Sequence, residues 1–494
     1  MSRVSGGCRG GEAPLTMTRV VVIAGALALS GAACERGSGA LLPPPGHVVV
    51  FVDTDAPVPR RLGAPPDVDA PPALFDTLRI DAYASGETEP CASCSREFDV
   101  DEDLFQGGAS FTVESVGHAD AARVRVRLYR SASIVENDLD PDSTVDVVAA
   151  LPAAPAEGAR DVTVFLSTDS VGRPVGTIDA PVDPARGRPH GSRVGSWAGA
   201  ERRDCAAPPG PNEVCVPGGA FWMGHPLAVS ADPDYAGDRQ RLVVLAPFYL
   251  DTMEVDVAEL RSSGLGASSA DVVAYNPTPS TQDDSNWCTF TKTSGGRDLL
   301  PVNCIRWSAA RAYCQTMRGG DLPTIAELEY ASGALVSNAY VWGKDAPSCD
   351  DAVWGRAGIG FFSTLSGDCR TDDVGGPVPR PSMAPDGWSG PPRARDHLVL
   401  PTGDVFDLAG NVSEWALDRH ARQDEPCWFT PDSNVFVDPV CDIQGALGDQ
   451  RSVFGGTWSE PGAFLRAALR NHATPETHTS VLGFRCARPA QPAE

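Results

Sequence analysis

The stretch that decides the fold is Asp407-Leu-Ala-Gly-Asn-Val-Ser-Glu-Trp415. Two further stretches follow it, Phe454-Gly-Gly-Thr-Trp458 and Leu482-Gly-Phe-Arg-Cys486, and both combine glycine with a large aromatic residue. Around them, from about residue 205 to residue 490, short strand-like runs alternate with long loops rich in glycine and proline. Irregular loops on this scale need cross-links, which disulfides or bound ions supply.

Two helices are predicted in this part of the chain. Four residues share one helical face at the spacing of a buried stripe: Trp307, Ala310, Cys314 and Met317. Further on, Thr324-Ile-Ala-Glu327 is a capping box, in which the Thr hydroxyl and the Glu carboxylate each bond a free backbone N–H group of the other residue. The remaining elements are expected to be short strands.

Six earlier stretches precede these three in the chain. They are Val216-Pro-Gly-Gly-Ala-Phe-Trp-Met-Gly224, Pro247-Phe-Tyr-Leu-Asp-Thr-Met-Glu-Val255, Pro301-Val-Asn-Cys-Ile-Arg-Trp307, Ala312-Tyr-Cys314, Leu322-Pro-Thr-Ile-Ala-Glu-Leu-Glu-Tyr-Ala331 and Tyr340-Val-Trp-Gly343. In this order, the nine stretches resemble the formylglycine-generating-enzyme (sulfatase-modifying-factor) domain over nearly all of residues 205–490. The resemblance implies a variant of the C-type-lectin-like fold, α+β with little regular structure and with bound calcium.

The resemblance also implies where calcium binds. The family uses the side chains at Asp407 and Glu414 and the carbonyls of Gly410 and Val412. Hard oxygen donors at alternating positions of a tight turn are what Ca²⁺ requires, and Gly410 permits the bend. The alternative is a turn in which the two carboxylates only cap backbone N–H groups. A second family calcium site does not match cleanly, because Ala352 stands where an Asn is expected.

The catalytic centre of the family is not matched. The enzyme oxidises a substrate cysteine to formylglycine with O₂, using Cu(I) held by two cysteines, and soft thiolates suit Cu(I). Those cysteines lie four and nine residues after the second Gly of an Arg-Gly-Gly-Ser block, and counting from Gly456 gives Glu460 and Leu465. Phe454 also replaces the Arg. The sequence therefore predicts no copper site and no catalytic residue.

Other chemistries find little support in the motifs. The chain has no H-E-x-x-H, no G-x-S-x-G and no phosphate loop, and its eight histidines show no metal-ligand spacing. By resemblance to the pocket in which the enzyme holds its substrate, five residues are candidates for a pocket: Trp458, Arg470, His472, His420 and His478. Each is also a residue type commonly found satisfied in a core or at a surface.

The cysteines predict a disulfide framework. The chain has 14, and leaving out Cys8 and Cys34 gives an even number, as in an oxidising compartment. Spacing indicates five local pairs: Cys91–Cys94, Cys205–Cys215, Cys288–Cys304, Cys349–Cys369 and Cys427–Cys441. Cys314 and Cys486 are left over, and spacing alone does not settle connectivity. In the family the cysteines at these two positions pair.

Two of these pairs have alternative uses. Cys91-Ala-Ser-Cys94 has the spacing of a redox dithiol, but it lies among Glu, Ser and Asp rather than at the start of a helix. Cys427 and Cys441 are the alternative ligands that could substitute for the two missing copper cysteines. A loop disulfide is the favoured interpretation in both cases.

The N-terminus predicts export. Arg19 precedes the apolar run Val20 to Leu29, and small residues then lead to Cys34. This is the pattern of a signal peptide, and the run is too short to span a bilayer stably. Residues 1–33 are therefore expected to be a signal, with the true start at Met17.

The residues before Cys34 also resemble a bacterial lipoprotein cleavage box, so Cys34 is expected to bear a lipid. An ordinary secretory signal is the alternative, because Gly31 replaces the usual Leu. Residues 34–45, with three consecutive prolines, are expected to form a stiff tether. The predicted location is the bacterial cell envelope.

Residues 46–185 have a strand pattern and predict a small all-β sandwich. In Arg123-Val-Arg-Val-Arg-Leu128 the apolar residues should face a core and the arginines water. His118-Ala-Asp120, a lone H-x-D match, is not a metal site. Residues 186–204, rich in Gly, Arg and Pro, are expected to be a linker before the 205–490 domain.

Charge excludes several partners. The formal net charge is −25, from 65 acidic and 40 basic residues, and it disfavours nucleic acid and anionic lipid surfaces. Membrane contact is therefore expected only through the N-terminal lipid.

The favoured hypothesis for function is a disulfide- and calcium-stabilised scaffold that binds an unidentified protein or glycan. The alternatives are an oxygen-dependent oxidase of protein side chains and a carbohydrate-binding module.

Overall fold

The chain forms an N-terminal region of two β-sheets and a C-terminal region of short strands and long loops. The computed structural model describes residues 20–21, 46–63, 67, 70–91, 93–114, 122–135, 138–155, 157–230, 232–268, 270–278, 285–356, 369, 375–379, 394–430 and 433–490. The predicted signal peptide (except residues 20–21), the tether, the lipid site Cys34 and the His118–Asp120 match lie outside the described residues.

The first N-terminal sheet contains β1 (Val20–Val21), β2 (His47–Thr54), β5 (Ser110–Glu114), β10 (Ala159–Leu166) and β11 (Ala185–Arg186). Its strand order is β1-β5-β2-β10-β11, with β2 and β10 parallel and the other neighbours antiparallel. The second sheet contains β3 (Thr77–Tyr83), β4 (Ser95–Asp99), β6 (Arg123–Tyr129) and β9 (Val145–Ala150) in the antiparallel order β4-β3-β6-β9.

The two sheets share one apolar core. Val50 and Val164 of the first sheet and Ile80 and Val126 of the second belong to the same buried cluster. In β6 the side chains of Val124, Val126 and Leu128 are fully buried, as predicted. The arginines between them, expected to face water, are instead half-buried, and Arg125 and Arg127 pair with Asp146 and Asp81. This is the packing of two sheets face to face.

The prediction that this region is all-β missed a helix, α1 (Glu102–Gln106). The Asp101 carboxylate accepts a hydrogen bond from the Leu104 N–H at 3.0 Å, and Phe105 is buried. Five residues are too few to show helical periodicity in a sequence, which is why α1 escaped notice. A small hairpin, β7 (Ile134–Val135) with β8 (Asp138–Leu139), completes the region.

The segment expected to be a linker packs against the N-terminal region. The Trp197 indole, 8% exposed, donates to the Asp169 carboxylate at 2.8 Å, and Arg193 pairs with Asp53 at 2.8 Å. Beyond it, the Trp222 indole donates to the Leu74 carbonyl at 2.7 Å across the junction. One buried cluster therefore includes residues of both regions.

Among its described residues, the C-terminal region has twelve strands in four sheets. They are β12 (Glu213–Val216), β13 (Gly219–Met223), β14 (Arg241–Leu245), β15 (Phe248–Asp251), β16 (His397–Leu400), β17 (Gly403–Phe406), β18 (Ser413–Arg419), β19 (Val435–Val437), β20 (Arg451–Phe454), β21 (Asn471–Ala473), β22 (Leu482–Gly483) and β23 (Ala487–Pro489). The sheet orders are β12-β15-β23, β13-β14-β19, β16-β17 and β21-β20-β18-β22. The last sheet brings together the three stretches that end the family series.

Both predicted helices are present, as α3 (Trp307–Tyr313) and α4 (Ile325–Ser332). The capping box of α4 is confirmed, because the Thr324 hydroxyl accepts from the Glu327 N–H at 3.1 Å and the Glu327 carboxylate from the Thr324 N–H at 2.7 Å. The prediction for Met317 is wrong, since its side chain is 43% exposed. From Cys314 to Arg318 the backbone is π-helical, and the wider turn rotates Met317 off the buried face.

A further helix, α2 (Val257–Ser263), was not predicted, although Asp256 and Glu259 form the same kind of capping box. The described helices include none that is both long and apolar enough to cross a bilayer.

Candidate functional site

The turn between β17 and β18 is the centre of the family motif. Asp407 and Asn411 have positive φ angles of 55° and 68°. A Cβ at Gly410 would lie 2.6 Å from the Val353 carbonyl oxygen, so only glycine fits there. The buried carboxylate of Asp396 accepts from the backbone N–H groups of Ala409 at 2.8 Å and Gly410 at 3.0 Å. A carboxylate therefore holds the turn in place.

Glu414 follows this turn in β18 and is bound to Arg485, just beyond β22. The Arg485 Nε lies 2.7 and 2.9 Å from the two Glu414 oxygens, and both side chains are almost fully buried. Burial raises the pKa of Glu414, and the positive charge of Arg485 opposes that effect. The Arg485 Nη2 also donates to the carbonyls of Phe406 at 2.9 Å and Asp407 at 3.1 Å.

This geometry matches the predicted calcium donors only in part. Asp407 in the turn and Glu414 at the start of the following strand are both buried oxygen donors, as a calcium site requires. Both Glu414 oxygens, however, accept from the guanidinium of Arg485, so a cation at this turn would share Glu414 with a positive charge. Within the described residues, no three His, Cys, Asp or Glu side chains cluster as a metal site. Calcium at this turn stays a prediction.

The two positions of the family's copper cysteines lie beside the same turn. Leu465 is 2% exposed and belongs to an apolar cluster with Tyr340, Trp354 and Ala409. It ends a 3₁₀ turn, Gly462–Leu465, that follows Pro461. The side chain therefore fills an apolar core position and offers no ligand atom.

Glu460, the other copper position, has a partly exposed side chain with a buried end. Its Oε2 atom is buried and has no hydrogen-bond partner in the part of the chain that the structure describes. Burial raises the pKa of Glu460 to about 7, although hydrogen bonds from Thr457 lower it. Glu460 is therefore a carboxyl group that titrates near neutral pH, at a position where the enzyme has a thiolate.

Every described cysteine is part of a disulfide. The six pairs are Cys91–Cys94, Cys205–Cys215, Cys288–Cys304, Cys314–Cys486, Cys349–Cys369 and Cys427–Cys441, the same pairs that spacing and the family resemblance indicate. Cys314 and Cys486 have their Cα atoms 5.3 Å apart and join α3 to the end of the last family stretch. No free thiol of the described residues is available to bind copper.

Of the five pocket candidates, the structure brings His420 and His472 together. Their ring centroids lie 4.5 Å apart, and Tyr235 stacks on His472 at 5.1 Å. Burial, with the charges of His472 and Arg470, lowers the pKa of His420 to about 4. Burial lowers the pKa of His472 as well. The Nε2 atom of each ring is buried without a hydrogen-bond partner among the described residues.

The other three candidates have other roles. Arg470 forms a buried ion pair with Glu329 at 2.6 Å. The fully buried indole of Trp458 donates to the Ser480 carbonyl at 3.1 Å, and His478 contacts the Ala270 carbonyl at 3.1 Å. Sequence reasoning missed the role of Arg485, although it lies in a quoted stretch. An arginine within an otherwise apolar motif could have indicated a buried ion pair.

Known proteins resemble this chain in its C-terminal region. The formylglycine-generating enzyme of Streptomyces coelicolor is 30% identical over 200 residues, 40% of this chain and 54% of that protein. The inactive C-alpha-formylglycine-generating enzyme 2 of Bos taurus is 29% identical over 203 residues, 39% of this chain and 52% of that protein. The matches thus span about half the length of these curated relatives.

Among solved structures, that of PvdO from Pseudomonas aeruginosa is similar, with 21% identity, a TM-score of 0.38 and coverage of 59% of this chain and all of that one. The profile of the sulfatase-modifying factor enzyme 1-like domain matches residues 200–490, more than half of the chain. The chain therefore belongs to the sulfatase-modifying factor enzyme 1-like domain family.

Proposed function

We propose that this chain is a disulfide-stabilised binding scaffold and not a copper-dependent oxidase. The observation that supports this most strongly is the packing of Leu465, which is 2% exposed in an apolar cluster where a copper thiolate would be needed. Glu460 at the other position supplies a hard oxygen atom, which suits Cu(I) poorly. A relative named as an inactive enzyme fits the same proposal.

The test is an oxidation assay. The purified chain is incubated with Cu(I), O₂ and a Cys-x-Pro-x-Arg peptide, and the peptide is analysed by mass spectrometry. The formylglycine-generating enzyme of Streptomyces coelicolor serves as the positive control. We expect no conversion of the cysteine by this chain at any copper concentration, and copper-dependent conversion would contradict the proposal.

We propose in addition that the chain is exported and anchored by a lipid on Cys34. Its disulfides are the support, because such cross-links persist in oxidising compartments. Expression of the full chain in a bacterial host with a radiolabelled fatty acid tests the anchor. Label should enter the wild type and not Cys34→Ser, whereas equal labelling of both would exclude Cys34 as the lipid site.

A structural calcium ion at the turn of Asp407 and Glu414 is the third part of the proposal. Its support is the pair of buried carboxylates, Asp407 in the turn and Glu414 in the strand that follows it. Because Arg485 already donates to both oxygens of Glu414, we assign the ion a role in stabilising the turn and no role in a chemical step.

A further inference from the structure

A cavity of about 170 Å³ lies where the N-terminal and C-terminal regions meet. Gly172 and Arg173 line it from the N-terminal region, and Arg239, Gln240 and Arg241 line it from the start of β14. None of these residues belongs to the copper positions or to the turn that follows β17. The cavity is therefore a separate feature of the molecule.

Close contact between the two regions shapes this cavity. A Cβ at Gly172, where φ is +75°, would lie 2.9 Å from the Asn434 Cβ and 3.0 Å from the Asp142 carbonyl oxygen. The Asn434 amide donates to that carbonyl across the junction, and the Asn434 carbonyl accepts from the Leu242 N–H at 3.1 Å. The walls are thus held together by direct bonds.

Gln240 is an unsatisfied polar group in the cavity wall. Its side chain is 1% exposed, and neither Oε1 nor Nε2 has a hydrogen-bond partner among the described residues. Leaving a buried donor and acceptor unpaired is costly, so such a group calls for an explanation. A ligand that accepts from Nε2 and donates to Oε1 would supply both missing bonds.

The charged side chains around Gln240 favour an anion. Arg241 is 3% exposed, and its guanidinium donates to the Gln423 carbonyl at 3.5 Å and lies 5.6 Å from the centre of the Trp428 ring. A buried carboxylate that acts on it, Glu329, is already ion-paired with Arg470 at 2.6 Å. Arg173 and Arg239 are exposed at the rim. In the described structure none of these three arginines forms an ion pair, in a chain with 65 acidic residues. Asp142 is the acidic residue in the lining, so positive charge prevails.

We propose that this cavity binds a carboxylate whose neighbouring nitrogen is a neutral amide N–H, as in the C-terminal residue of a peptide or a free N-acylated amino acid. The carboxylate would accept from Arg241 and from Gln240 Nε2, and the amide N–H would donate to Gln240 Oε1. A free amino acid fits less well, because its ammonium group would face the arginines. The volume suits one residue, and Trp428 and the 54% exposed Phe429 offer apolar contact to its side chain.

The inference extends the proposed function by naming a ligand class for the scaffold. A negative result for ligand binding can be told apart from a negative result for the proposed scaffold function. The oxidation assay reports on Glu460 and Leu465, whereas binding at this cavity reports on Gln240 and the arginines. Either result can be negative while the other is positive.

Binding is measured by titration calorimetry on the full chain with four probes. They are N-acetyl-L-leucine, its methylamide, free L-leucine and a tripeptide ending in leucine. We expect the acetylated acid to bind and the methylamide, which lacks the carboxylate, to bind at least about tenfold more weakly. Tighter binding of the tripeptide than of the acetylated acid would identify a peptide C-terminus as the source, and equal binding would identify the small molecule.

Gln240→Leu is the main variant, with Arg173→Ser at the rim and Arg160→Ser as a matched exposed arginine outside the cavity. Gln240→Leu should weaken binding about tenfold and leave the melting temperature unchanged or higher, because two unsatisfied polar atoms are removed. A purely structural glutamine would instead lose stability. No binding of any probe to the wild type, equal binding of acid and methylamide, or wild-type affinity in Gln240→Leu would overturn the proposal.

Discussion

The two regions of this molecule are held together by different means. In the N-terminal region, two sheets bury a continuous apolar core, and one disulfide closes a short loop. The C-terminal region has five disulfides, buried ion pairs such as Glu414–Arg485, and buried indoles that donate to distant carbonyls. Trp415, for example, donates to the Ile305 carbonyl at 2.9 Å.

This difference shows why the family stretches are so specific. A strand core tolerates exchange among apolar residues of similar volume. A fold made mostly of loops has few ladder bonds, so particular polar pairs and cross-links must fix each loop. Removing such a pair should therefore lower the free energy of unfolding more in the C-terminal region than a comparable change does in the N-terminal region.

The largest effect is expected from the long-range disulfide. Replacing both Cys314 and Cys486 by serine reopens a loop of 172 residues, and the chain-entropy model gives a loss of about 5 kcal/mol. The same double change at Cys91 and Cys94 should cost about 2 kcal/mol. Denaturant unfolding of both variants measures the two losses of unfolding free energy. Equal losses would show that the long-range disulfide stabilises the fold no more than the short one.

Breaking the buried ion pair comes next. Glu414→Gln leaves the guanidinium of Arg485 buried without its carboxylate, which should cost about 4 kcal/mol. Asp161→Asn is the matched change in the N-terminal region, because Asp161 pairs with Arg188, whose side chain is 64% exposed. That control should cost less than about 1 kcal/mol. Similar losses in both variants would show that burial does not distinguish the two pairs.

A calcium ion, if bound at the same turn, adds a smaller stabilisation. Chelation should lower the melting temperature of the wild type by a few degrees, on the order of 1 kcal/mol, and leave Asp407→Gly, which has no side-chain oxygen, almost unaffected. Thermal scans with and without chelator measure this difference. An identical response of the two proteins, or no calcium in the purified wild type by elemental analysis, would exclude the ion.

The last effect concerns Glu460 and the dependence of stability on pH. Burial raises its pKa to about 7, well above its ordinary value, so the folded state prefers the protonated acid. The unfolded chain releases that proton at lower pH, so stability is highest below the unfolded pKa and decreases as the pH rises towards 7. In Glu460→Gln, the decrease in stability between pH 5 and pH 8 should be smaller than in the wild type, because the titrating carboxyl group is gone. A pH profile of the variant parallel to that of the wild type would contradict the assignment.

Local patterns in the sequence predicted local structure well. The alternation in Arg123–Leu128 and the capping box at Thr324 both depend on neighbours within a few residues, and both are present. The π-helical turn that exposes Met317 depends instead on how the segment from Cys314 meets the rest of the fold. Periodicity assumes a uniform helix and cannot reveal such a turn.

Apart from the Cys314–Cys486 disulfide, which the family resemblance implied, the long-range contacts were beyond sequence reasoning. Glu414 and Arg485 are 71 residues apart, and only the strand order β20-β18-β22 brings them together. The cavity around Gln240 likewise needs Gly172 and Arg173 from the other region of the chain. The missing copper cysteines, in contrast, were visible from the sequence because the family motif places them at fixed offsets from Gly456.

Copper binding tests the central claim most directly. Cu(I) affinity is measured by competition with a colorimetric chelator for the wild type and for the double variant Glu460→Cys, Leu465→Cys. We predict that the wild type binds no Cu(I) more tightly than a protein with only disulfide-bonded cysteines, and that the double variant gains one tight site. One equivalent of tightly bound Cu(I) in the wild type would contradict the account, because the described residues offer no free thiolate to hold it.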